Sequence, residues 1–196
     1  MRIPYVDPKT VKNENTRNII EKIQQRRAPN PLLELDLALL HAPEVANGWN
    51  EFFGAIRKRG RLTRAVKEIA ICRVAVLNGA LYEWEQHYPL AVRAGVSPAI
   101  MTLVLRGTQD DWNEFGVGTD DEDEECIKAV IDYTDAMTRQ VKVSDKVFGE
   151  VQLHLSNQEV VELTATIAGY NAVSRFLVAL DVGERNDAAM AWTNLT

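Results

Sequence analysis

With 196 residues, 46% of them apolar and 26% charged, the chain has the make-up of one globular domain, long enough to bury a core without a disulfide or a structural metal. Its 28 acidic against 22 basic residues give a net charge of -6, which would repel a phosphate backbone and excludes nucleic acid as the expected partner. Apolar runs such as Ile69 to Leu77, broken by Arg73, fall short of the roughly 20 residues needed to cross a bilayer, so no membrane is expected.

The opening MRIPYVDPKT has no basic-then-apolar leader. Cys72 and Cys126 are far apart and read as ordinary unpaired thiols. A cytoplasmic location is the expectation.

Apolar residues recur at three and four throughout, without an alternating strand pattern, so the chain is expected to be all-α. Helices are expected over 16–27, closed at Pro29-Asn30-Pro31, over 32–40, stopped before Pro43, and over 44–59, ended by Gly60. Residues 1–60 thus read as an N-terminal helical extension packing on a core of residues 61–196.

In the core, Thr63 caps a helix that runs to the Asn78-Gly79 stop. A second helix follows over 80–94, and Ser97-Pro98 opens a third that closes at Gly107. Short turns make these antiparallel neighbours. A polar stretch over 108–118 leads to the acidic run Asp120 to Glu125, read as first-turn residues favoured by the dipole of a helix reaching Arg139. Ser144 opens a further helix, and Ser156 with Glu159 forms a capping box for a long helix through Leu180.

The densest chemistry lies in Tyr82-Glu83-Trp84-Glu85-Gln86-His87. Glu83 and His87 are four apart and share a helix face, so they can hydrogen-bond. A carboxylate beside an imidazole is a proton-handling pair, because each shifts the proton affinity of the other. Glu68 sits near the apolar face of the preceding helix, where the short turn can bring it opposite His87.

Arg73 interrupts an apolar helix and must snorkel, pair with an acid or meet an anionic ligand. Tyr82 and Trp84 read as core or interface aromatics by default. The basic run Arg57, Lys58, Arg59, Arg61, Arg64 reads as a solvated helix end. Asn171 and Arg175, four apart, suggest a buried structural network. His41, His87 and His154 are not clustered with metal-ligand spacing, so no metal is expected.

The segment LTRAVKEIAICRVAVLNGALYEWEQHYPLAVRAGVSPA, residues 62–99, with GYNAVSRFLVAL near the end, resembles the signature region of the carboxymuconolactone decarboxylase and AhpD-like family. The resemblance implies an AhpD-like antiparallel helical domain. It places the family glutamate on Glu68 and the family histidine on His87. The two redox cysteine positions fall on Ala80 and Glu83, and a histidine between them becomes Tyr82.

Without either thiolate, dithiol peroxidase chemistry is not expected. The resemblance then implies a cofactor-free, decarboxylase-like lyase acting on a small carboxylated lactone or ring compound, with His87, Glu83 and Glu68 catalytic. Arg73, Tyr82 and Trp84 would bind the carboxylate substrate. Lactone isomerisation or hydrolysis, or a non-catalytic oligomeric scaffold, are the alternatives. A homo-oligomer, trimer or hexamer, is expected from the resemblance and from the crowding of Trp49, Phe52, Phe53, Trp84 and Tyr88.

Overall fold

The computed structural model describes residues 1–107 and 122–188, and the polar stretch and the opening of the acidic run lie outside them. Among the described residues there are nine α-helices and no strand. In chain order they are α1 (Glu14–Arg27), α2 (Glu34–Leu39), α3 (Pro43–Lys58), α4 (Arg64–Leu77), α5 (Leu81–Arg93), α6 (Pro98–Arg106), α7 (Glu122–Gln140), α8 (Asp145–His154) and α9 (Asn157–Leu180).

The punctuation works largely as the sequence suggests. Side chains of Thr63, Ser97, Ser144 and Ser156 accept from backbone N–H groups in the first turns of α4, α6, α8 and α9, satisfying donors that have no partner within the helix. Helix α1 starts two residues earlier than expected because Asn13 accepts from the Thr16 N–H. Pro43, expected only to stop the preceding helix, opens α3 at its first turn, where its missing N–H costs nothing.

Helix α4 is the hub. It packs against α5, α6, α7 and α9, and every residue from Lys67 to Ala75 is buried. A helix apolar on one stripe can face only one neighbour, whereas α4 must be buried all round. That forces three charged side chains, Lys67, Glu68 and Arg73, into the interior, each with a different solution.

The second spine is α9, which packs against α3, α4, α5, α7 and α8. By length and composition it is the one described helix apolar enough to cross a membrane, a point that the shorter runs noted in the sequence had hidden. Its apolar character is used inside the protein, where Leu163, Ile167, Tyr170, Val173 and Leu177 are buried.

The N-terminal residues share this core. Ile19, Ile23, Leu39 and Phe53 belong to the same buried cluster as Ile69, Leu103 and Ile167, with α1 and α2 packed on α3 and α3 on α9. The aromatic residues that suggested an interface are mostly covered from within the chain. Trp49 packs on Phe53 and Phe176, Trp84 is buried and stacks on Tyr88, and Phe52 alone of the five is largely exposed.

Candidate active site

A cavity of about 790 Å³ lies where α1, α3, α4, α5 and α9 meet. Helical spacing puts Arg64, Lys67, Glu68 and Ile71 of α4 on its wall, and Tyr82, Glu83, Gln86, His87, Leu90 and Arg93 of α5 opposite them. Because α4 and α5 are joined by the tight Asn78-Gly79 turn, Arg64 and Arg93 fall at the same, exposed end and His87 and Glu83 further in. Gly79 takes φ +65 there, a conformation that costs a side-chain-bearing residue energy.

Glu68 and His87 meet across the pair, with Nδ1 of His87 2.6 Å from Oε2 of Glu68. Burial pushes the imidazole below its ordinary value, and the opposing pull of Glu68 does not restore it. Burial would raise the Glu68 carboxyl, but the bond from His87 and the charges of His87 and Arg57 bring it below the ordinary value. At neutral pH the pair is therefore a carboxylate and a neutral imidazole. Nδ1 carries the proton it donates to Glu68, leaving Nε2 as an acceptor.

Tyr170 of α9 packs edge-on against the His87 ring, centroids 5.0 Å apart. Burial, opposed by Arg57, pushes its phenol up to about 12. Arg57 donates from its Nη1 to the Tyr170 hydroxyl at 3.3 Å and lies 3.6 Å from Oε1 of Glu68. It is thus part of the site, and the reading of its basic run as a solvated helix end fails at this residue. The other residues of α3 and α4 gave no sequence signal for it, because the contact joins residues 113 positions apart.

Glu83 behaves differently from the expected partner of His87. Its Oε2 accepts from the Ser174 hydroxyl at 2.8 Å, and Oε1 has no hydrogen-bond partner among the described residues. Burial pushes its carboxyl well above the ordinary value, with only the Ser174 bond opposing. Burial thus drives Glu83 towards the neutral acid, while Glu68, on the same wall, is held towards its ionised form. Two carboxyl groups whose environments drive them apart are the arrangement by which a site separates an acid from a base.

Two of the three expected substrate-binding residues are elsewhere. Arg73 lies behind the wall, 2% exposed, with Nε and Nη2 each 2.6 Å from Asp135 and Nη1 2.9 Å from the Val104 carbonyl. Its planar fork is fully used by that carboxylate and by the end of α6. Trp84 stacks on Tyr88, with ring centroids 5.3 Å apart, and does not line the cavity. Tyr82 does line it, but its hydroxyl donates to Glu34 at 2.6 Å.

The wall carries seven arginine and lysine side chains against two carboxyl groups, Glu68 and Glu83. In a chain of net charge -6, this local reversal focuses positive potential on the cavity and favours an anionic occupant. Asn171 and Arg175 form a structural network, but at the surface and not buried as expected: Asn171 accepts from Asn78 and from the exposed Arg175 and donates to Thr138. Among the described residues no group of three His, Cys, Asp or Glu is placed to hold a metal ion.

Solved structures share this all-helical fold. A protein from Ralstonia eutropha JMP134, described as an alkylhydroperoxidase AhpD core and uncharacterised peroxidase-related protein, aligns with TM-score 0.71 at 16% identity, over 92% of this chain and 90% of that one. A protein of unknown function from Agrobacterium tumefaciens, linked by description to antioxidant defence and AhpD, gives 0.61 at 22% identity over 74% and 92%. The debrominase Bmp8, as a Cys→Ala variant bound to 2,3,4-tribromopyrrole, gives 0.64 at 18% identity over 93% and 89%. No curated protein matches the sequence.

Residues 43–110 match the model of the carboxymuconolactone decarboxylase family. Over that segment the chain is similar to the carboxymuconolactone decarboxylase family, and its fold is shared with the AhpD-like structures above. The matched segment begins at the first residue of α3, so it runs across the boundary at residue 60 that the sequence suggested.

Proposed function

We propose that the cavity is the active site of a decarboxylase-like lyase that acts on a small carboxylated lactone or ring compound by proton transfer between side chains. The observation that carries this reading is the division of labour on one wall: the buried Glu83 carboxyl, with one oxygen unpartnered among the described residues, is driven towards its protonated form, while Glu68 and His87 are hydrogen-bonded to each other at 2.6 Å with Nε2 left as acceptor.

Loss of carbon dioxide leaves an electron pair that flows into a conjugated carbonyl, and carbon must then take a proton. Glu83 is the group that holds one at an otherwise unpartnered oxygen. His87, oriented by Glu68, takes a proton at Nε2 from solvent and passes it on to the Glu83 carboxylate left after that transfer, or removes one from substrate. Arg57, steered by Tyr170 and Glu68, offers positive charge where the carbonyl oxygen becomes an enolate, which favours the transition state over the ground state.

Thiol peroxidase chemistry has no support at these positions. Ala80 and Glu83 stand where the resemblance places the redox cysteines. Cys72 is fully buried off the cavity wall, and burial raises its thiol well above the ordinary value, the reverse of what a reactive thiolate requires.

The test is carbon dioxide release from carboxymuconolactone and related carboxylated lactones. His87→Gln and Glu68→Gln are each expected to lower kcat by about 100-fold or more with the fold intact, the usual weight of a positioned acid or base. Full activity in folded His87→Gln protein would end the proposal. The rate should hold below pH 6.5 on the acid side, because the imidazole is already depressed and must be protonated to lose its acceptor.

A further inference from the structure

We propose that the ammonium of Lys67 is the anion seat of this cavity, the group that takes a carboxylate of the bound ligand in the role that the sequence suggested for Arg73. The inference rests on the cavity being a ligand site, as in the reading above, and adds the residue that recognises the ligand's charge.

Lys67 lies on the most buried stretch of the hub helix, is only 7% exposed, and lines the cavity beside Glu68. It makes no hydrogen bond and no ion pair with any described residue. The carboxylate that feels its charge, Glu162, already accepts from the Leu62 N–H and from Gln158, each at 2.8 Å.

Of the other cations on the wall, Arg64 is exposed at the mouth, Arg93 donates to the Pro89 carbonyl at 3.1 Å, and four are committed deeper in. Arg27 grips both oxygens of Asp36 at 2.9 Å, Arg26 donates to Asn50, Lys58 donates to the Arg26 carbonyl at 2.8 Å, and Arg57 is held by Tyr170 and Glu68. Lys67 thus stands on the wall without a hydrogen-bonded partner of its own among the described residues, and an anion entering the cavity would supply one.

The chemistry of the anion follows from the surroundings. An ammonium is a compact point charge that accepts a single carboxylate oxygen without the fork geometry an arginine imposes. Trp49, Phe53, Tyr170 and Ile71 supply flat and apolar wall to the same cavity, which suits a small ring bearing a carboxylate.

Benzoate and its neutral isostere benzamide are the probes, titrated calorimetrically into the full chain. Wild-type protein is expected to bind benzoate about tenfold or more tighter than benzamide, the discrimination typical of a partly desolvated charge pair. Lys67→Met should abolish that preference while leaving benzamide binding unchanged, and Lys67→Arg should keep part of it. The melting temperature of Lys67→Met should stay close to that of wild type, because the ammonium has no hydrogen bond or ion pair among the described residues to lose. Lys67→Gln gives the same reading should the methionine variant not fold.

An undiminished benzoate preference in folded Lys67→Met or Lys67→Gln would overturn the proposal, as would wild-type protein that does not discriminate the two probes. Because benzoate binding requires no turnover, an intact Lys67-dependent preference in a protein that releases no carbon dioxide refutes the lyase alone. His87-dependent turnover without any effect of Lys67 refutes only the seat.

Discussion

Arg73→Leu is expected to destabilise the protein by about 3 kcal/mol, the lower end of what removing one partner of a buried ion pair costs. The lower end applies because Asp135 keeps a quarter of its side chain in solvent and has Arg139 at 3.7 Å as a second, weaker partner. The loss also frees the Val104 carbonyl, since Arg73 caps the last turn of α6 from outside the helix. At Gly107, with φ +60, an added Cβ would collide with the Arg73 guanidinium, so the arginine packs directly against the turn after α6. Thermal melts should show a fall of roughly 6–12 °C for a chain of this size. Benzoate affinity at a temperature where the variant is folded should be unchanged. A variant that keeps its melting point but loses benzoate binding would restore Arg73 to the ligand site and contradict the structural account.

The case of Arg73 shows where sequence reading carried and where it stopped. Helices and their ends were legible because their causes are local: Thr63, Ser97 and Ser156 announce first turns, and Gly79 and Gly107 take the left-handed conformations that end them. The Glu68-His87 contact was also legible, because two helices joined by a three-residue connection can meet in few ways. Spacing alone, however, does not tell which acid a histidine chooses. Glu83 was the local candidate at four residues, yet the deciding partner for Glu83 is Ser174, 91 positions away on α9. Arg57 and Tyr170 are joined over a still longer separation. An arginine in an apolar helix announces only that something must neutralise it, and here that was Asp135 on α7. Lys67 carried no sequence signal, because its distinguishing property is the absence of a partner, which only packing reveals.

Glu83→Gln should make the protein more stable than wild type at pH 8, by a margin that shrinks as the pH falls towards 5. In the folded protein burial holds the Glu83 carboxyl well above its ordinary value of 4.5, with the Ser174 bond only partly opposing. A raised folded value means that the folded chain keeps a proton that the unfolded chain gives up. Its contribution to stability is full below 4.5 and declines as pH rises, by about 1.4 kcal/mol for each pH unit until the folded carboxyl itself ionises. Glutamine has nearly the same shape, can accept from Ser174 through its carbonyl oxygen, and does not titrate, so it removes this slope. The measurement is the difference in melting temperature between variant and wild type at pH 5, 6, 7 and 8. A difference that stays constant across that range would mean that Glu83 is ionised throughout, and the acid would lose its proton for catalysis. A difference that grows with pH, together with a kcat lowered by about 100-fold or more in the same variant, ties the stability cost to the function. The chain would then be keeping a carboxylic acid buried with one oxygen unpartnered, against its own stability above pH 5, because that proton is the one carbon receives.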